Sequence, residues 1–173
     1  MTMKFMIPTL LAIAPIGGQG AEHSAGFPIP QALAAEHMAL HEVLGRAVKE
    51  PGPLGDAARN LEQALHHHFQ REEEIALPPL ALLPRLAHGE ASPDMADVLR
   101  MTDQLEKEMP QMLADHQKIV AALGVFRKAA EAAGRHEYVE FADELALHAQ
   151  NEEQVTYPAA LLVGKYVKLV LKR

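Results

Sequence analysis

The sequence predicts an all-α fold: an antiparallel four-helix bundle with an extra N-terminal segment and a C-terminal helix. Three observations predict it. Apolar residues recur at alternating steps of three and four, the spacing of one helix face. Alternating β-branched runs are missing, aromatic residues make up only 5% of the chain, and alanine and leucine are plentiful. Proline and glycine punctuate the periodic stretches where helices should end and begin. At 173 residues the chain suits one domain with a substantial core.

Met1 to Ile16 is apolar, with Lys4 its one charge, and Pro8 and Pro15 interrupt it. Gly17-Gly18-Gln19-Gly20-Ala21 is only a loose match to a small-residue cleavage site. Residues 1–28 therefore read as a retained apolar extension packed on the domain, which implies a cytoplasmic protein. The alternative is a cleaved leader and a periplasmic one. The stretch is too short and too broken to span a membrane.

The bundle itself is expected over residues 29–158. Pro30 suits the first turn of a helix running to about Val48, with Leu33, His37, Leu40, His41, Leu44 and Val48 inward. Pro51-Gly52-Pro53 ends that helix and starts the second, which stops near Pro78-Pro79. Leu80 to Gly89 reads as a short helix or a cap over the bundle end. Ser92-Pro93-Asp94 combines a capping serine, a first-turn proline and a first-turn acid, and opens the third helix. That helix reaches about Ala133, with a kink or break expected at Pro110 and a C-terminal cap at Gly134. The fourth starts near His136 and ends or bends at Pro158. Residues 159–173 should form a further helix packed on the bundle.

Two of these helices carry the same stretch. Leu65-His66-His67-His68-Phe69-Gln70-Arg71-Glu72-Glu73 and Leu147-His148-Ala149-Gln150-Asn151-Glu152-Glu153 align on His68 and His148. Each copy has glutamates at i+4 and i+5 and a proline at i+10, Pro78 and Pro158. Residues i and i+4 share a helix face, so each copy sets an imidazole beside a carboxylate. Leu61, Leu65, His68, Glu72 and Ile75 step by 4, 3, 4, 3, as do Phe141, Leu145, His148, Glu152 and Val155. Both pairs thus fall inside apolar stripes that should face a core, where polar groups are costly unless compensated. A shared metal would compensate both.

The repeat extends further. Glu36-His37 aligns with Asp115-His116, and Leu44 and Leu123 each follow their histidine by seven residues. Each half is a helical hairpin offering one histidine from its first helix and His-x-x-x-Glu from its second. Two hairpins related by a pseudo-twofold axis would bring four histidines and two carboxylates into one interior.

Composition narrows the chemistry. The net charge of −7 and the absence of a Lys/Arg-rich run argue against nucleic-acid binding. With no cysteine, disulfides, iron–sulfur ligation and thiol nucleophiles are excluded.

Over roughly Ile29 to Pro158, the pattern H…HxxxEE…H…HxxxEE, each second motif running into Leu77-Pro78 or Tyr157-Pro158, resembles the hemerythrin-like HHE cation-binding family. The resemblance implies a pair of non-haem iron ions in a four-helix bundle, bridged by two glutamates and an oxo or hydroxo group, with histidines as terminal ligands. Carried over residue by residue, the ligands are His37, His68, Glu72, His116, His148 and Glu152. Oxygen-carrying hemerythrins have a further histidine four residues after the one on the third helix, and here that position is Val120. His41 occupies the pseudo-symmetric place on the first helix and is the candidate seventh ligand; the other reading is a core or boundary histidine.

Two six-coordinate irons have about twelve positions; the two carboxylates, the bridge and five histidines leave about one open, and without His41 about two. One open position suits capture of a diatomic, and two suit a reactive or exchangeable site. Mixed nitrogen and oxygen ligands without sulfur favour iron, with manganese the alternative, over tetrahedral zinc. The leading functional expectation is a protein that binds or senses dioxygen or nitric oxide. The alternatives are redox turnover of peroxide or nitric oxide, and iron storage or iron-responsive partner binding.

The remaining candidates have plainer readings. His66 and His67 lie off the stripe. Glu73, Glu74 and Glu153 read as solvated, with a hydrogen bond to a ligand histidine as the alternative. Glu36 and Asp115 read as surface charges or as similar supports. Met95, Met101, Met109 and Met112 read as core. Tyr157 reads as boundary packing with a wet hydroxyl, with a hydroxyl brought near the site as the alternative.

Overall fold

The computed structural model describes residues 27–172, and these are helical with no strand among them. Expectations for the N-terminal extension lie outside the described residues, apart from Phe27 and Pro28.

Helix α1 spans Gln31–Ala47 and follows Pro30 directly. The chain turns at Gly52, whose φ of 68° suits glycine, and Pro53 opens α2 (Pro53–Arg71). Leu80 to Gly89 resolves into a 3₁₀ turn, Pro78–Leu82, and a short helix α3, Leu83–Ala87. Ser92 does not cap a helix as expected. A 3₁₀ turn, Pro93–Asp97, precedes α4, and the Ser92 hydroxyl donates to Asp94 and accepts from Arg85 at 2.7 Å. A serine beside an acid and a guanidinium finds stronger, charge-assisted partners than a backbone N–H.

Helix α4 (Val98–Ala132) runs 35 residues and continues through Pro110. Pro110 is exposed, so the carbonyl it leaves without an amide partner lies on a face open to water. Its end is the expected one. Gly134 has φ 67°, and the Arg135 and Gly134 N–H groups donate to Ala130 and Glu131 at 2.9 and 3.0 Å. Helix α5 spans His136–Asn151 and α6 Tyr157–Val170. Helix α4 lies along α2, α5 and α6, and α1 packs on α2 and α5.

Both copies of the repeated stretch break α-helical register at the same place. Glu72–Ala76 and Glu152–Thr156 are single π turns, in which the Leu77 N–H reaches back five residues to Glu72 at 2.9 Å. A π turn inserts one residue and rotates everything after it. Val155, which α-helical periodicity places inward, is 58% exposed, while Thr156 and Tyr157 are buried; the aligned Ile75, in the first π turn, stays buried with Ala76 and Leu77.

The apolar interior is layered. One layer joins Leu44, Leu61, Leu65, Phe69, Phe126 and Phe141; another joins Ile75, Leu77, Met101, Leu105, Met112 and Tyr157. Along α2, His68 and Glu72 fall between the two, and along α4 His116 falls between Met112 and Ile119. Met95, Met101 and Met112 are buried, as expected of core residues.

Candidate metal centre

Six histidine and glutamate side chains occupy that middle layer. His37 comes from α1, His68 from α2, His116 from α4 and His148 from α5, while Glu72 and Glu152 open the two π turns. All six are buried, Glu72 completely. Their ligand-type atoms form two groups: His37, His148, Glu72 and Glu152 in one, His68, His116, Glu72 and Glu152 in the other. Each group takes one histidine from each half of the repeat, and both carboxylates belong to both groups.

The carboxylates are turned to serve two positions at once. Glu72 Oε1 lies 3.3 Å from His68 Nε2, and its Oε2 lies 3.8 Å from His37 Nε2. Glu152 Oε1 lies 2.9 Å from His148 Nε2 and 3.7 Å from His37 Nε2, and its Oε2 lies 3.3 Å from His116 Nε2. Among the described residues, the buried polar atoms without a hydrogen-bond partner are His68 Nδ1, Glu72 Oε2, His148 Nε2 and Glu152 Oε1. Three of these four point into the His37/His148 group. His148 Nε2 and Glu152 Oε1 are close but not aligned to bond, so both remain available to a third atom between them. Uncompensated buried acceptors are expensive, and a cation held by both groups removes that cost. The donor set fits a metal ion.

Outer carboxylates hold the imidazoles in place. His37 Nδ1 faces Glu73 at 3.3 Å, His116 Nδ1 faces Glu153 at 2.9 Å, and His148 Nδ1 faces Glu36 at 3.0 Å. Such partners fix the tautomer that leaves Nε2 free for metal and raise its basicity. Glu36, Glu73 and Glu153 are thus more than surface charges. The sequence signal was the second glutamate of each HxxxEE and the acid before His37. His68 is the exception: its Nδ1 is buried without a partner. The residue aligned with Glu36 is Asp115, one methylene shorter, and it binds Lys118 at 2.7 Å and Gln111 at 2.8 Å instead. Glu74 turns away to Arg71 and Gln70.

The charges follow the geometry. Burial opposes protonation of His37, but Glu152, Glu73 and Glu72 outweigh it and raise its pKa to about 9. Burial likewise opposes charge on His116 and His148, and their glutamate partners still lift both. Glu152 is buried too, yet His116, His148 and His37 hold its carboxyl well below the usual range. Glu72 moves the other way, pushed up by complete burial and by the neighbouring Glu152 carboxylate.

The structure does not bring His41 to this cluster. It is exposed on α1, its ring meeting the edge of Phe69 at 5.0 Å between centroids. Phe69 also stacks on His37 at 4.5 Å, so it stands between His41 and the centre. Burial depresses the pKa of His41. His66 and His67 are exposed, as their phase implied.

Tyr157 follows the second of its two readings, a hydroxyl near the site, and not boundary packing with a wet hydroxyl. It is 1% exposed, and its hydroxyl donates to Glu72 and lies 3.4 Å from His68 Nε2 and 3.3 Å from His116 Nε2. The π turn carries it inward; a continuous α-helix would not. Burial and the Glu72 and Glu152 carboxylates raise its pKa strongly. On the other side a groove of about 480 Å³ opens between α1 and α5, lined by Glu36, Leu40, Val43, Phe141, Leu147 and His148.

Compared with protein-family models, curated proteins and solved structures, the chain matches none. Among the described residues, no helix is long and apolar enough to cross a membrane.

Proposed function

We propose that this chain is a hemerythrin-like protein: an antiparallel four-helix bundle that holds two iron ions and binds or senses dioxygen or nitric oxide. The observation that carries the proposal is the pair of buried ligand groups sharing Glu72 and Glu152, with each carboxylate presenting one oxygen to either side. A ferrous pair held there supplies the electrons that a bound diatomic accepts. His37 and His148 would hold one metal position and His68 and His116 the other, with Glu72 and Glu152 available to both.

The surrounding residues supply what such a centre needs from a protein. Glu36, Glu73 and Glu153 orient three of the four imidazoles. Phe69 and the two apolar layers exclude bulk water. A groove lined by Glu36, Leu40 and His148 opens beside the His37/His148 side.

The position of His41 favours a second reading within the same centre. Six protein ligands instead of seven leave about two coordination positions open, which suits redox turnover of peroxide or nitric oxide over simple carriage.

Anaerobic loading with ferrous iron, with the metal counted per chain and the absorption spectrum followed through cycles of air and argon, tests both readings. About two irons and a spectrum that changes in air and returns under argon support reversible gas binding. Two irons with a single irreversible change support turnover. The spectrum of His41→Ala should match the parent in either case. Fewer than two metals per chain would sink the di-iron reading.

A further inference from the structure

The two halves of the centre are not equivalent. Within the internal repeat Tyr157 aligns with Leu77, and Phe69 aligns with Ala149. The His68/His116 half therefore faces a hydroxyl, whereas the His37/His148 half faces a phenyl ring. Of the four clustered imidazoles, His68, whose Nδ1 has no partner, is on the hydroxyl side.

The distances from that hydroxyl to the two imidazoles match the spacing of ligands on one metal. Two donor atoms each about 2.1 Å from one metal lie about 3.0 Å apart at right angles and about 3.4 Å apart at the tetrahedral angle. The Tyr157 oxygen is 3.4 Å from His68 Nε2 and 3.3 Å from His116 Nε2. The same spacing separates His68 Nε2 from Glu72 Oε1 and His116 Nε2 from Glu152 Oε2, 3.3 Å in each case.

Three buried side chains, Glu72, His68 and His116, converge on this one oxygen. A phenol has one proton to donate, and that of Tyr157 goes to Glu72. In its neutral form His116 carries its proton on Nδ1, toward Glu153, so its Nε2 presents a lone pair to the Tyr157 oxygen. A cation between the two atoms meets a lone pair from each, in the place that a proton on His116 Nε2 takes in the metal-free protein. The ring is also held: it stacks nearly parallel on His116, 5.7 Å between centroids and 16° between planes.

We propose that Tyr157 is a metal ligand of the His68/His116 half, its phenolate oxygen completing a five-residue set with His68, His116, Glu72 and Glu152. The hydroxyl proton leaves to water as the cation enters. The inference rests on the di-iron reading and deepens it. Tyr157 fills the seventh protein position that His41 does not reach, returns the number of open positions to about one, and confines the opening to the His37/His148 half beside the groove.

The test is the visible and resonance Raman spectrum of the full chain loaded with ferrous iron and oxidised with ferricyanide, with iron counted in the same sample. Tyr157→Phe, which keeps the stacked ring, is run alongside. The parent should show a phenolate-to-ferric charge-transfer band with tyrosinate ring modes. The variant should lose more than nine-tenths of that band while still binding iron. Two irons with no tyrosinate modes in the parent would overturn the assignment and leave the di-iron reading standing. One iron with tyrosinate modes lost in the variant would support the assignment and overturn the metal pair. No bound iron would overturn both.

Discussion

Raising the pH of the chelated, metal-free protein from 6.5 to 9 strips a proton that the fold holds on His37. The side chain is buried, which disfavours its charge, but the carboxylates of Glu152, Glu73 and Glu72 more than compensate and set its pKa to about 9. An unfolded histidine titrates near 6.5, so between these values the folded state binds more protons than the unfolded one. Stability must then fall as pH rises through the window. Each tenfold difference in proton affinity is worth about 1.4 kcal/mol, which makes the His37 contribution about 3 kcal/mol, complete below pH 6.5 and gone above about 9. His116 and His148, raised by their own glutamates, act in the same direction. Glu152, whose pKa is depressed, contributes stability that is lost only in acid, outside this window. Three kcal/mol is a large share of the roughly 5–15 kcal/mol that holds a domain together. Urea unfolding followed by circular dichroism at pH 6.5, 7.5 and 9 measures it, with His37→Gln expected to flatten the slope. A chelated protein that keeps or gains stability between pH 6.5 and 9 would refute the reasoning. The metal-loaded protein should show the opposite slope, because protons and metal compete for the same imidazole lone pairs.

Asp115→Glu lengthens the residue aligned with Glu36 and gives the unpartnered His68 Nδ1 an acceptor. Outer partners of this kind are worth about 10- to 100-fold in metal affinity. Metal titration calorimetry should show tighter binding at one of two sites. Gly164→Ala places a methyl group into the buried Thr102 side chain where α6 crosses α4. Overpacking there should cost about 1–3 kcal/mol in thermal or urea unfolding, and an unchanged midpoint would contradict the close approach.

Much of the centre was readable before any coordinates. Periodicity marked the helices, and the matched His-x-x-x-Glu stretches and their partner histidines named the six side chains that meet in the interior. What periodicity missed near the two glutamates has a local cause. The spacing argument assumes an uninterrupted α-helix, and π turns at Glu72–Ala76 and Glu152–Thr156 add a residue at the point where the ligands sit. That added residue brings Tyr157 inward, and Val155 lies outward although the aligned Ile75 is buried. His41 failed differently: pseudo-symmetry supplied it, but Phe69 has no aromatic counterpart in the second half, where Ala149 stands, and it blocks the way.

By itself, then, the order of residues determined the all-helical character, the positions of the turns and the identity of the clustered histidines and glutamates. These depend on local spacing and on the cost of burying polar groups, both of which are written along one chain. Only the tertiary structure decided which outer acids reach an imidazole, which half of the centre receives a hydroxyl, and that His41 stays outside. Those outcomes turn on differences of about one methylene or one residue of helical phase between elements far apart in sequence. Periodicity within a single helix carries no information at that scale.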